Sequence, residues 1–126
     1  MTRRVADAMR EPAVVVQPST TIQETSARLL DAGVHTAVVL DGGVVCGLAT
    51  AAQISAALSA GYDASQTTIG VIADRNPTMF RAEEALAEAH QQMRAEGSPI
   101  AAVVGPKREP LGLLEDSEAY PETGMA

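Results

Sequence analysis

Few side chains in this sequence are of kinds that do chemistry, and their spacing narrows what they could do. Glu115, Asp116 and Glu118 put three carboxylates within one short segment. Such a cluster offers oxygen ligands to a hard cation. It reads more simply as a solvated helix start, where negative charge suits the helix dipole. His35 and His90 fall at unrelated positions, His90 inside an expected helix. One histidine that changes charge at about pH 6.5 is a thin basis for a pH sensor. Cys46 lies in an apolar run beside Val44, Val45 and Leu48 and reads as a small buried hydrophobe. A reactive thiol needs an electropositive setting, and none is visible around it. There is no Gly-x-Ser-x-Gly elbow, no phosphate loop closing on Gly-Lys-Ser/Thr and no His-Glu-x-x-His. Gly42-Gly43 reads as a hairpin turn, and Glu83, Glu84 and Glu88 as a solvated helix face. No catalytic residue and no metal site is expected, and the chain is not read as an enzyme.

The elements that hold these residues must come from a chain of 126 residues with a formal charge of −7. That length suits one compact domain or two small intertwined ones. Hydrophobic residues make up 46%, which argues against disorder, while aromatics are 2%, so the core is expected to be built from Ala, Val, Leu and Ile. The acidic balance opposes phosphate-backbone binding, and three scattered aromatics form no base-stacking platform, so no nucleic acid is expected. No run of 18 or more apolar residues exists, so no membrane partner is expected. Asp7, Arg10 and Glu11 interrupt what would be a signal-peptide core. The single Cys46 forbids an intrachain disulfide, and a cytoplasmic location is expected.

An internal repeat organises the sequence. Shifted by 64 residues, Val5 falls on Ile69, Ile22-Gln23-Glu24-Thr25 on Leu86-Ala87-Glu88-Ala89, Leu29 on Met93, Gly33 on Gly97 and Ala37-Val38-Val39 on Ala101-Ala102-Val103. With one extra residue in the second turn, Gly47-Leu48 falls on Gly112-Leu113. In the first copy, Ala13 to Val16 reads as a strand stopped by Pro18. Thr21 with Glu24 makes a capping box for a helix that Gly33 ends. Thr36 to Leu40 and Val44 to Ala49 read as strands joined by Asp41-Gly42-Gly43, and Thr50 caps a helix over Ala51 to Ala60. In the second copy Ala82, Ala85, Leu86, Ala89 and Met93 form the helical stripe, and Ala101 to Val104 and Leu111 to Leu114 are strands. A short last helix ends near Tyr120. The expected fold is α+β: two βαββα repeats packed by pseudo-twofold symmetry. Repeat 1 covers residues 1–61, a polar linker 62–68, repeat 2 residues 69–120 and a loose tail 121–126. About 60 residues of this kind bury too little alone, so the copies are expected to face each other.

These segments resemble a tandem pair of cystathionine-β-synthase (CBS) domains, a Bateman module. Val5-Ala-Asp-Ala-Met9 is similar to the opening V-x-D-x-M, and Pro18 with Thr21-Ile22-Gln23-Glu24 to P-x-x-T-I-x-E-A. Gly33-Val-His-Thr-Ala-Val-Val-Leu-Asp41 is similar to G-h-x-x-h-P-V-V-D, and Gly47-Leu-Ala-Thr50 to G-h-h-T. The resemblance spans residues 1 to 119 and implies a regulatory, ligand-sensing module that binds an adenosine-containing ligand between the repeats. AMP, ADP, ATP and S-adenosylmethionine are the candidate ligands, with no cofactor required. A homodimer and a regulated protein partner are also implied. The implied site is Ala13, Val14, Val15, His35, Thr36, Ala37, Thr50 and Gln53, with Pro77, Thr78, Pro99, Ile100, Ala101 and Glu115 for the second copy. A Thr or Ser followed by Asp three residues later typically holds phosphate and ribose in this family. Here the pairs are Thr50 with Gln53, which lacks the charge, and Glu115 with Glu118. Carboxylates there disfavour a polyphosphate. Ala37 and Ala101 stand where the family has Pro. Arg3 and Arg4 precede the first element and could reach a phosphate in the first cleft. The alternative reading is a structural or protein-interaction dimer that binds no nucleotide.

Overall fold

The computed structural model describes residues 3–115. The short last helix expected before Pro121, the residues Asp116 and Glu118 and the tail 121–126 lie outside the described residues. The chain divides into two compact units. One is the continuous stretch Pro12–Pro77; the other joins the residues up to Glu11 to those from Thr78 onward.

In the continuous unit the chain runs β1 (Val15–Val16), α1 (Ile22–Ala32), β2 (Thr36–Asp41), β3 (Val44–Thr50), α2 (Ala51–Ser59) and α3 (Ile69–Ile72). The sheet order is β1-β2-β3, with β1 parallel and β3 antiparallel to β2. The strand expected over 13–16 contracts to Val15–Val16, although the Val14 carbonyl still accepts the Val38 amide just ahead of it. The Thr21 hydroxyl accepts from the Glu24 amide at 3.0 Å, and Gly33 ends α1 at φ 67°. Gly42 and Gly43 take φ of 63° and 82°, the left-handed pair that a two-residue hairpin needs. The polar segment after α2 is bonded into the unit. The carbonyls of Thr67 and Ala64 accept the Ile22 and Gln23 amides, two of the donors that the first turn of α1 leaves without helical partners.

The second unit contains a 3-10 turn (Val5–Asp7), β4 (Met79–Arg81), α4 (Leu86–Glu96), β5 (Ile100–Val104) and β6 (Pro110–Glu115). Its sheet order is β4-β5-β6, with β4 parallel and β6 antiparallel to β5. The helical stripe expected from Ala82 starts later, at Leu86. Residues 82–85 turn instead, held by the Arg81 amide on Glu84 Oε2 at 2.7 Å.

Each sheet buries one face under its helices. Ile22, Leu29, Ala37, Val39, Ala49, Ile54 and Ile69 form the core of the continuous unit. Val5, Phe80, Leu86, Met93, Ala101, Val103 and Leu114 form that of the other. Ile69 and Val5 hold the same place and both are fully buried. The Ile69 and Gly70 amides donate to the carbonyls of Thr20 and Pro18; the Val5 and Ala6 amides donate to those of Glu84 and Ala82, the matching positions. The segment ahead of each sequence copy thus docks onto the sheet of the other copy.

A few residues further on, each docked segment crosses the third strand of its sheet. Asp74 and Leu48 exchange N–H···O bonds of 2.9 and 3.1 Å, and Arg10 and Leu113 exchange bonds of 2.9 and 2.7 Å. The approach needs a residue without Cβ. A Cβ on Gly47 would lie 2.7 Å from the Asp74 oxygen, and one on Gly112 would lie 2.6 Å from the Arg10 oxygen. Gly47→Ala and Gly112→Ala should therefore each destabilise by about 1–3 kcal/mol through overpacking. Urea unfolding checks the loss. Hydrogen exchange should show the Leu48 and Leu113 amides, respectively, losing protection.

Candidate functional site

The expected site residues of the first copy fall at one end of the continuous unit's sheet. Val14 precedes β1 and its carbonyl accepts the Val38 amide at 3.0 Å. Thr36 opens β2 directly opposite Thr50, the last residue of β3. Residues directly opposite in an antiparallel pair share a face, so the two threonine side chains lie on the same side of the sheet. The His35 carbonyl accepts the Ala51 amide at 2.8 Å, which ties the start of α2 to the start of β2. Ala13, Val14, Val15, His35, Thr36, Ala37, Thr50 and Gln53 are therefore close together along the backbone.

Their side chains divide. Val14 and Ala37 are buried in the helix-facing core, so a ligand would meet them through the main chain alone. Ala13 and His35 are exposed, and Val15, Thr50 and Gln53 half-buried. Thr50 and Gln53 cap α2 reciprocally. Thr50 Oγ accepts the Gln53 amide at 3.1 Å, and Gln53 Oε1 accepts the Thr50 amide at 2.8 Å. The cap uses only an acceptor on each side chain: the Thr50 O–H and the Gln53 NH₂ remain donors. Where an Asp would present only acceptors, Gln53 in this pose presents its NH₂ donors.

The second copy repeats the backbone and changes the chemistry. The Thr78 carbonyl accepts the Ala102 amide at 2.9 Å, as Val14 does for Val38. Ile100 stands opposite Glu115 as Thr36 stands opposite Thr50. Pro99 is exposed, Ile100 half-buried and Ala101 buried in the core. Pro77 is buried as well, but it closes the continuous unit and is not part of this one. Arg3 and Arg4 also belong here, ahead of α4: the Arg3 carbonyl accepts the Leu86 amide, and Arg4 bridges Ala85.

A polar cluster that the sequence reading missed sits here. Thr78 Oγ donates to Glu96 Oε1 at 2.6 Å and lies 2.9 Å from Ser98 Oγ, and Gln92 donates to Glu96 Oε2 at 3.0 Å. The Thr78 and Gln92 bonds hold the Glu96 carboxyl below its ordinary range. The signal was in the repeat. At the shift of 64, Val14, Ala32 and Val34 become Thr78, Glu96 and Ser98, three linked changes from apolar to polar. Cys46 is half-buried, and burial first, then Asp41, pushes its thiol pKa up, which fits the unreactive role expected of it.

Residues 5–60 match the sequence profile of the CBS domain family. No curated protein matches the chain. Among solved structures, the CBS domain protein PAE2072 from Pyrobaculum aerophilum, complexed with AMP, superposes with a TM-score of 0.85 at 20% identity, covering 98% of this chain and 95% of its own. The CBS domain pair of protein MJ0100, in complex with 5′-methylthioadenosine and S-adenosyl-L-methionine, gives 0.82 at 20% identity, covering 94% and 93%. CBSX2 in complex with AMP gives 0.77 at 20% identity, covering 92% of each chain.

The Glu96 cluster makes a pH prediction. A carboxyl whose folded pKa is lowered adds stability above its unfolded pKa, and this is lost as pH falls through the folded value. Thr78→Val should raise the Glu96 pKa toward its ordinary value, read by carboxyl NMR titration, and should flatten this part of the acid-limb stability profile.

Proposed function

We propose that this chain, a CBS domain over residues 5–60 with the fold of a tandem CBS pair throughout, is a regulatory protein that senses an adenosine-containing ligand and catalyses nothing. The observation that carries the reading is the capped hydroxyl site at the sheet end of the continuous unit. Thr36 and Thr50 lie opposite one another, and Thr50 and Gln53 are locked in the α2 cap with donors to spare. In this reading the Thr50 O–H donates to phosphate or carboxylate oxygen, and the Gln53 NH₂ donates to ribose oxygen. The main chain around Ala13, Val15, His35 and Ala37 meets the base. Pre-formed donors lose little freedom on binding, which favours affinity. The AMP, 5′-methylthioadenosine and S-adenosyl-L-methionine named in the similar structures support the ligand class.

Charge ranks the ligands. The chain carries −7, and Glu115 occupies the second copy's counterpart of Thr50. AMP and S-adenosylmethionine should bind more tightly than ATP, because the net negative charge of the chain opposes the added charge of a polyphosphate. Isothermal titration with AMP, ADP, ATP and S-adenosylmethionine checks this. Thr50→Val with Gln53→Leu should weaken the tightest ligand by about tenfold or more, one lost charge-assisted bond's worth. Saturable binding that ignores this double change refutes the site. Silence with all four ligands favours the alternative, a structural CBS dimer, to which Glu115 in place of a hydroxyl already leans.

Dimerisation belongs to the same proposal. A groove of about 360 Å³ between α1 and α2 is lined by Leu29, Leu30, Val34, Ile54 and Leu58. Leu30 is 80% exposed and Leu58 45%. Leucines this open beside a groove mark an interaction surface, and a second copy of the chain, with the same two helices, fits it. Leu30→Asp with Leu58→Asp should convert a dimer to a monomer in light scattering without loss of helix content. Signal output to a regulated partner would follow only if ligand binds two arrangements of the protein with different free energies.

A further inference from the structure

The two units share one architecture, so a difference in what fills them is informative. In each, the docked segment crosses the glycine of the third strand, Gly112 or Gly47. The residue just before the crossing is Met9 in one unit and Ala73 in the other. The Met9 thioether packs over its glycine, with Sδ 3.1 Å and Cγ 3.3 Å from the place of a Gly112 Cβ. Ala73 brings only its Cβ, 3.6 Å from the place of a Gly47 Cβ. Two neighbouring positions shrink as well: Cys46 stands where the other unit has Leu111, and Gly70 where it has Ala6. The continuous unit keeps a cavity of about 380 Å³ at this place. It lies on the helix side of the sheet, where Val39 joins the core, and shares no lining residue with the Thr50 site.

We propose that this cavity is a second ligand site, for a small amphipathic carboxylate. Its volume lies in the range of about 300–1,000 Å³ typical of small-molecule pockets. Pro18, Val39, Val71 and Ala73 supply apolar walls for a short branched chain. Arg75 supplies the cation. Arg75 is exposed at the rim: its Nη2 donates to the Gly70 carbonyl at 3.2 Å, and further N–H groups are left for a carboxylate. Thr68, also in the wall, adds a hydroxyl. The charge should be single. Arg28 and Arg75 are the cations of Pro12–Pro77, against Glu24, Asp31, Asp41, Asp63 and Asp74. Asp41 acts on the Cys46 thiol in opposition to Arg75, so a dianion would meet a carboxylate in the same neighbourhood.

Amide NMR titration of the full chain with 4-methylpentanoate and the neutral isostere 4-methylpentanamide tests the site. The acid should shift the Gly47, Gly70 and Ala73 amides saturably, and the amide should bind about tenfold more weakly. Ala73→Met, which installs the residue that the other unit accepts at this position, should abolish the shifts. Arg75→Gln should reduce the acid to the affinity of the amide. Equal binding of acid and amide, shifts that survive Ala73→Met in a folded protein, or no saturable shift by about 20 mM acid each overturns the proposal. Because these residues lie outside the Thr50 site, failure here is distinct from failure of the nucleotide reading.

Discussion

Two pairs of backbone hydrogen bonds, each made across a position that has no side chain, organise this molecule. At Asp74–Leu48 and Arg10–Leu113 an incoming segment comes so close to a strand that only glycine fits beneath it. The same segments carry Ile69 and Val5, which close the two cores. A three-stranded sheet with two short helices has too little apolar surface to stand alone. The docked segment supplies the missing core residue and further hydrogen bonds to the sheet and the turn ahead of its helix. Every other feature, from the sheet register to the helix caps at the site, rests on a core finished in this way.

The two copies spend their polar groups differently on that shared frame. In the continuous unit, polarity concentrates at the Thr50–Gln53 cap, where helix capping and donor presentation come from the same side chains. In the other unit it concentrates at Thr78, Glu96 and Ser98, across the start of the sheet and the end of α4. Each cluster makes its hydrogen bonds among near neighbours, which lets it persist at a half-exposed edge where water meets any donor left over. Divergence within one frame leaves the strand order and pairing shared and the chemistry distinct.

Much of the fold was legible because local rules set it. Thr21, Gly33, Gly42-Gly43 and Thr50 announce their cap and turn geometry, and the structure places a helix end or hairpin at each. The repeat itself marked Val5 and Ile69 as equivalents. It did not tell which sheet each would join, because both sheets offer the same pattern and only the folded chain distinguishes them. The segment 62–68 looked like a linker because its residues are polar, yet its carbonyls serve α1, and main-chain partners leave no trace in residue type. At the site, the residues to be gathered were readable from the resemblance. The burial of Val14 and Ala37 was not, since alternation along a strand depends on a register that sequence leaves open. The cavity beside Cys46 escaped for a related reason: a void is the absence of atoms, visible only once the other copy shows what could have filled it.

The exchange of docked segments sets an order of assembly during synthesis. Residues 12–77 complete one core from a continuous stretch, which can close as soon as that stretch has left the ribosome. The other core needs Val5 from the start of the chain and Leu114 from more than a hundred residues later. Its first strand of information must wait, with Val5 and Met9 open to water, until the last sheet strand arrives. Contacts of such separation slow folding. The nascent chain therefore passes through a stage with one half complete and one apolar arm still without its sheet.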